Sequence, residues 1–256
     1  MSSVRITWIG HSTVLIELDG VRLLTDPVLR PRVTHLRRVA PVDWDAVQGI
    51  DAIAVSHAHY DHLDPASLRR LGRSIPLIVP WGAARMVRGF EQVTELEEGD
   101  ETRVGALSIR ATHADHSGHR DFLGSPAATV GFLVSGSARL YFPGDTDLFQ
   151  GMSSLAPDLD VALLPVAGWG SRVPRGHLDP ARAAEALGLL QPQVAIPVHW
   201  GTYRMIGLRR DPEALREPAE EFARLAAELA PEVEVRVLPV GGTTVVRPRS
   251  PRGSGE

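Results

Sequence analysis

The 256-residue sequence contains no cysteine, and all 27 of its basic residues are arginine. Without cysteine there is no disulfide, no thiolate metal ligand and no thiol nucleophile. Any metal site must therefore be built from His, Asp or Glu. Without lysine there is no Schiff-base chemistry and no lysine general base. No apolar run approaches ~18 residues, so no transmembrane helix is expected. The opening Met1-Ser2-Ser3-Val4-Arg5 enters an alternating pattern directly and carries no signal-peptide core, and a cytoplasmic location follows as the expectation. A net charge of −4 gives no reason to expect a nucleic-acid partner or an anionic membrane surface.

What is present is an ordinary globular composition, 43% hydrophobic and 23% charged, in a chain long enough to bury a large core. Strand-like runs cover Val4 to Ile9, Thr13 to Leu18 and Val21 to Leu24, the last two joined by an Asp19-Gly20 hairpin signal. Asp51 to Val55 is a short apolar strand. Asp64-Pro65 is an N-cap followed by proline at the first helical position, opening a helix to about Leu71. Leu77 to Val79 reads as a strand and Trp81 to Phe90 as a helix. The second half repeats the scheme, with strands over Val104 to Arg110, Ala128 to Val134, Ala138 to Phe142 and Val161 to Leu164. Asp179-Pro180 repeats the capping device and starts a helix to about Leu190. A strand over Val194 to Pro197 precedes an amphipathic helix from Pro212 to Leu229, in which Pro218 is a potential break. Glu234 to Leu238 and Thr243 to Arg247 close the sheet. With no linker visible, residues 1–246 read as one domain and residues 247–256, rich in Pro, Ser, Gly and Arg, as a disordered tail. The class is α/β, an αββα sandwich with helices outside two packed mixed sheets.

His57-Ala58-His59-Tyr60-Asp61-His62 carries four metal-ligand side chains in six residues, on a loop between a strand and a capped helix. Residues two apart in extended backbone share a side, so His57 and His59 can converge on one ion while Asp61 and His62, where the chain turns, face a second. Two ions need further donors. Candidates follow other strands: His113, Asp115, His116 and His119; Asp145 and Asp147; and His199. Ligands in α/β folds collect beyond the carboxyl ends of strands. Imidazole and carboxylate suit zinc, manganese or iron.

The His57–His62 motif resembles the HxHxDH signature of the metallo-β-lactamase superfamily. Trp8-Ile9-Gly10-His11-Ser12, Leu24-Thr25-Asp26-Pro27, Gly144-Asp145-Thr146 and Ile196-Pro197-Val198-His199-Trp200-Gly201-Thr202 resemble the branch that contains the N-acyl-phosphatidylethanolamine-hydrolysing phospholipase D and its bacterial relatives, with ascorbate-6-phosphate lactonases more distant. The resemblance spans roughly residues 4 to 246. It implies two divalent metal ions, zinc first and manganese or iron as alternatives, with His57, His59 and His116 on one, Asp61, His62 and His199 on the other, and Asp145 bridging. His113 and His119 depart from the branch pattern, so His113 competes with His116 as ligand or acts behind a ligand. In such a site, ions ~3.5–4 Å apart lower the pKa of a shared water to about 7. The hydroxide attacks an ester, lactone or phosphodiester, with Asp61 able to take its proton. His177, in Gly176-His177-Leu178-Asp179-Pro180, polarises substrate or donates a proton, or else packs at the helix start. His11 sits in a tight turn behind the ligands or is structural.

No Ser-His-Asp triad is needed, and Ser56 and Ser117 read as loop hydroxyls. Arg30, Arg32, Arg37 and Arg38 with His35, and Arg172 with Arg175, are either solvated loops or recognition elements for phosphate or carboxylate. Trp44, Trp169 and Trp200 are candidate walls of an apolar pocket. The partner expected is a small molecule, anionic if the arginines recognise it, with no nucleic acid and no stable membrane insertion. The alternative function is an iron-dependent oxidoreductase of the same fold, against which the absence of cysteine and of an appended flavodoxin-like or rubredoxin-like domain speaks.

Overall fold

The structure, a computed structural model, describes residues 3–119, 127–155, 158–168, 173–207 and 213–249. The first sheet contains β1 (Val4–Gly10), β2 (Thr13–Leu18), β3 (Val21–Thr25), β6 (Ala52–Ala54), β7 (Leu77–Pro80), β8 (Val93–Leu96) and β17 (Thr243–Val246), in the order β17-β1-β2-β3-β6-β7-β8. The second contains β9 (Glu101–Val104), β10 (Leu107–Thr112), β11 (Gly131–Ser135), β12 (Arg139–Phe142), β13 (Val161–Pro165), β14 (Val194–Val198) and β16 (Glu234–Val235), in the order β16-β14-β13-β12-β11-β10-β9. A small third sheet pairs β15 (Tyr203–Met205) with β5 (Leu36–Arg38) and β4 (Arg32–Val33).

The αββα sandwich follows from which faces are apolar. β13 and β14 are buried at every position, the unbroken apolar run of strands covered on both sides. One core holds Ile6, Trp8, Ile16 and Leu23 of the first sheet against Phe132, Leu140, Leu163 and Ile196 of the second, and continues into α2 (Pro180–Leu190) and α3 (Glu217–Leu229) through Ala183, Leu187 and Phe222. A separate core packs Ile53 and Val79, on the outer side of the first sheet, against Leu63 and against Leu68 of α1 (Pro65–Leu71). Each fully buried aliphatic side chain contributes ~1.5–3 kcal/mol. Both Asp-Pro devices cap as read: Asp64 accepts from Ser67 N and Asp179 from Arg182 N.

Several expected elements differ. Trp81 to Phe90 is not an α-helix; only a 3-10 turn, Ala84–Met86, forms there, with Gly82 and Gly89 at positive φ on either side of it. Val104 to Arg110 is not one strand, because Gly105 at φ 54° turns β9 back into β10. The helix expected from Pro212 starts only at Glu217, after a separate 3-10 turn, Glu213–Leu215; Pro218 thus falls in the first turn of α3, where a missing N–H costs no helical bond. Residues 250–256, where disorder is expected, lie outside the described residues. Arg249, nearer the sheet, donates its backbone N–H to Asp160 Oδ1 (3.1 Å).

Strand direction places the chemistry. β1, β3 and β6 run the same way in the first sheet. β10, β12, β13 and β14 share a direction in the second. The residues after these strands carry His11, Asp26, His57, His116, Asp145 and His199. Six strand ends from two sheets thus deliver polar side chains to one edge of an apolar sandwich.

Candidate metal centre

The loop after β6 begins with Ser56 and His57, both fully buried, and closes through His62 N and Leu63 N, which both donate to His59 O (3.0 and 2.8 Å). This turn puts His57 and His59 on one side and Asp61 and His62 on the other. His57 Nε2 and His116 Nε2 each lie 3.1 Å from His59 Nδ1. Three ring nitrogens therefore face one point. Tetrahedral zinc with Zn–N of ~2.0–2.1 Å separates neighbouring ligand nitrogens by about 3.3–3.4 Å, close to the spacing seen.

A second group forms beside it from Asp61, His62 and His199, with His11 added. His199 Nε2 and His62 Nε2 lie 3.7 and 3.8 Å from Asp61 Oδ2. Asp145 Oδ2 sits between the groups, 3.2 Å from His62 Nε2, 3.3 Å from His199 Nε2 and 3.9 Å from His57 Nε2. The other oxygen of Asp145, Oδ1, is buried without a hydrogen-bond partner among the described residues. A buried carboxylate oxygen left without a donor costs about 1–3 kcal/mol unless a ligand answers it. The donor set thus fits divalent ions at both groups.

The rings are held from behind. His62 Nδ1 is 2.7 Å from Asp26 Oδ2, His57 Nδ1 is 3.0 Å from Ser56 Oγ, His59 Nε2 is 3.0 Å from His119 O and His116 Nδ1 is 2.7 Å from Gly176 O. Rings that donate backwards present their other nitrogen as a lone pair, the arrangement a metal ligand requires. Asp26 also accepts from Ser56 N and Ser56 Oγ (2.7 and 2.6 Å). One buried carboxylate therefore braces a ring in each group. Sequence reasoning gave Asp26 no role and treated Ser56 as a loop hydroxyl; the signal was the strand-ending Thr25-Asp26, whose burial is not visible locally.

Electrostatics separate the two groups. Burial holds His57 well below its usual pKa, lowers His59, and pushes His116 down to about 4. Burial also disfavours the charged forms of His62 and His199, yet the carboxylate of Asp145, joined by Asp61, outweighs it, raising His62 well above its usual value and His199 to about 9. Burial would raise Asp61 and Asp145, but the adjacent His62 and His199 keep both well below the usual carboxylate range.

The remaining candidates divide. His177 joins the centre, its Nε2 3.4 Å from Asp145 Oδ2 and its ring edge-on to His116. His113 does not: it is exposed and pairs with Glu98 (2.9 Å), so of the competing histidines it is His116 that faces the cluster. His119 contributes its carbonyl, and exposed Ser117 meets only the His119 ring. Asp147 is held by Arg182, and Asp115 pairs through its backbone with Asp147. Arg30 is engaged by Asp64, and buried Arg38 by the carbonyls of Ile9, Val28 and Ala40. Trp44 lies under the Arg70 guanidinium and packs on the outer core of the first sheet. Trp200 stacks on Trp8 and borders a cavity shared with His199. Trp169 and Arg172 lie outside the described residues.

A family model described as a beta-lactamase superfamily domain matches residues 21–200. The chain belongs to this superfamily. Among curated proteins, this superfamily member is 36% identical to a metal-dependent hydrolase of Methanopyrus kandleri over 93% of the chain and 98% of the relative. It is 32% identical to N-acyl-phosphatidylethanolamine-hydrolyzing phospholipase D 1 of Caenorhabditis elegans, over 78% of the chain and 64% of that protein. Among solved structures, a metallo hydrolase from Ignicoccus hospitalis superposes with TM-score 0.71 at 25% identity, covering 96% of the chain and all of the other. The diiron β-hydroxylase CmlA of Streptomyces venezuelae (TM-score 0.70, 17% identity, 96% of the chain, 54% of the other) shares the fold. Among the described residues no helix is long and apolar enough to cross a membrane.

Proposed function

We propose that this metal-dependent hydrolase is binuclear and cleaves an ester, lactone or phosphodiester of a small molecule. The observation that carries the reading is the position of Asp145 Oδ2, within 3.9 Å of ring nitrogens from both histidine groups. His57, His59 and His116 would hold one ion, Asp61, His62 and His199 the other, and Asp145 both. Two divalent ions so held supply Lewis acidity and lower the pKa of a water toward ~7, with zinc preferred and manganese or iron compatible with the donors.

The chain's own groups do the rest. Asp61 is the least buried donor of the second group, with 14% of its side chain exposed, which puts its carboxylate toward the open side, placed to accept a proton from a nucleophile. His177 is exposed to the same degree and faces Asp145, placed to polarise a substrate oxygen or return the proton to a leaving group. The fully buried rings of His57 and His62 are too enclosed for either task and serve to fix charge and orientation.

The test is metal analysis of the protein reconstituted separately with zinc, manganese and iron, alongside assays on ester, lactone and phosphodiester substrates and an oxygen electrode. Two ions per chain with hydrolysis of at least one substrate class are expected. A single ion at saturation would overturn the binuclear reading. Stoichiometric iron with oxygen uptake and no hydrolysis would replace it with the iron-dependent oxidoreductase.

A further inference from the structure

The third sheet carries an unusual register. Arg32 pairs directly with Arg37 across β4 and β5, and Arg37 pairs directly with Arg204 across β5 and β15. Directly opposed residues share a face and keep their Cβ atoms ~4.5–5.5 Å apart. The opposite face, formed by Val33, Leu36 and Met205, packs on its own small core with Val28 and Tyr203. Three guanidinium stems therefore stand in a row on one face of a three-stranded ribbon.

Such a row is costly, because like charges directly opposed across strands destabilise a sheet. Elsewhere the fold offsets its arginines with carboxylates: Arg22 with Glu17, Arg30 with Asp64, Arg182 with Asp147, Arg236 with Glu234. Among the described residues none of Arg32, Arg37 and Arg204 forms an ion pair, and Arg32 Nε reaches only the Thr34 carbonyl (3.1 Å). The four arginines clustered in the sequence are thus two kinds, Arg30 and Arg38 engaged by the fold, Arg32 and Arg37 unspent.

One end of the row reaches the metal centre, while Arg37 and Arg32 extend it away along the same face. Arg204 borders a cavity of about 280 Å³ together with His11 and His199. The turn joining β4 to β5, Thr34 and His35, borders a second recess of about 150 Å³ with His59 and Asp61, on the side of Leu36 rather than of the arginines. Glu217 and Glu221 stand in the larger cavity as well, but Glu221 is taken by Arg224 and neither pairs with Arg204.

We propose that Arg204, backed by Arg37 and Arg32 on the same face, anchors an oxyanion-binding row that holds a phosphate or carboxylate group of the substrate at the cavity beside the metal centre. Calling that anion part of a substrate rests on the hydrolase reading; the binding of the anion does not. The planar fork of arginine suits both oxyanions bidentately, and the fixed β register presents several forks without reorganisation. A small-molecule anion is favoured over a membrane surface because a cavity of molecular size adjoins the row.

The experiment is calorimetric titration of the full-length, metal-loaded protein with inorganic phosphate and, separately, with glutarate. Arg37→Gln and Arg204→Gln are each expected to weaken binding of at least one oxyanion about tenfold, the scale of one lost charge-assisted hydrogen bond, while Arg103→Gln on β9 leaves it unchanged. The stronger arm distinguishes a phosphate from a carboxylate group. Because each substitution removes a like-charge contact, the variants should melt no lower than the parent. Unchanged affinity for both oxyanions in both variants overturns the proposal, as does weakening that appears only with a lower melting temperature and lost metal. Arg-dependent sedimentation with phosphatidylglycerol vesicles, with phosphate and glutarate binding unaffected, would make the row a membrane contact instead. Arg-dependent anion binding in a protein that hydrolyses nothing would sink the hydrolase reading alone; turnover with no Arg-dependent anion binding would sink this one alone.

Discussion

His62 and Asp26 are both fully buried, 2.7 Å apart between Nδ1 and Oδ2. Asp26 sits at φ 35° after β3, a left-handed position that an acidic residue tolerates better than most. The same carboxylate reaches His57 through Ser56. Asp26→Asn keeps the shape but replaces an acceptor by an amide that can turn its N–H₂ toward the ring. We expect a ~10–100-fold loss of metal affinity, the usual scale for a group behind a ligand, read by chelator competition. Undiminished affinity at both positions would show that the bracing is idle.

His62→Ala and Asp145→Ala probe the centre itself. Each should abolish hydrolysis and lower metal content, Asp145→Ala at both positions and His62→Ala at the second. Full metal and full turnover in either variant would remove that residue from the binuclear assignment.

The metal-free second group is internally neutral, with Asp61 and Asp145 ionised against protonated His62 and His199. A divalent ion entering there displaces about two protons. His199 gives up its proton only as pH rises through about 9, so affinity at this position should climb from pH 6 to 9. The first group has His57, His59 and His116 lowered, His116 to about 4, and should load with little proton release above pH 5. Without metal, the depressed His116 favours the neutral form, so its contribution to stability falls as pH drops from 6.5 toward 4. The raised His199 contributes stability below 6.5 that is lost as pH rises through 9. Titrations in buffers of different ionisation enthalpy count the protons; equal release at both positions would contradict the assignment.

The features legible in the sequence are those written over short distances. His57, His59, Asp61 and His62 lie on one loop, and the Asp64-Pro65 and Asp179-Pro180 caps act within one turn. β13 and β14 announce themselves as apolar runs. What escaped notice depends on contacts far apart in the chain. β5 pairs with β15 through Arg38 and Tyr203, strands too short to show a period. β8 and β9 lie at sheet edges, where all their residues but Leu96 are exposed or half-exposed and the apolar signal is weak. Asp26 stands in the sequence only as part of the Thr25-Asp26-Pro27 stretch, and its burial against His62 shows what it supports. His116 and His113 could be told apart from spacing only by resemblance; in space His113 faces Glu98.

His11 supports Asp61, its Nε2 3.3 Å from Oδ2. Its backbone is held at φ 56° by Trp8, Thr202 and His199, through bonds of 2.7, 2.6 and 3.0 Å. A non-glycine residue in this region stores strain of order 1 kcal/mol that the surroundings must hold. His11→Asn, with a residue that accepts positive φ, isolates the ring's contribution. We expect a folded protein with about tenfold weaker metal binding at the second position and an unchanged first. Parallel losses at both positions would indicate a general packing defect instead.

Gly144 ties the two sheets together at the centre. It precedes Asp145 at φ 64°, and a Cβ added there would lie 2.4 Å from both the Cβ and the Oγ of Ser56. Ser56 cannot retreat, because its N–H and hydroxyl are both bonded to Asp26. Gly144→Ala therefore forces β12 and β6 apart where Asp145 must meet His57 and His62. Left-handed strain of about 1 kcal/mol adds to a clash of ~1–3 kcal/mol typical of overpacking. In a protein of this size each kcal/mol moves Tm by about 2–4 °C, so a fall of roughly 4–16 °C is expected in the metal-free protein. Because the displaced residues serve both groups, metal content should fall at both positions together. Gly151→Ala is the matched control: it also carries positive φ, but its added Cβ would meet Ser154 Oγ at an ordinary 3.7 Å. A Tm loss for Gly144→Ala no larger than for Gly151→Ala, with both ions retained, would show that the contact between Gly144 and Ser56 does not hold the centre together.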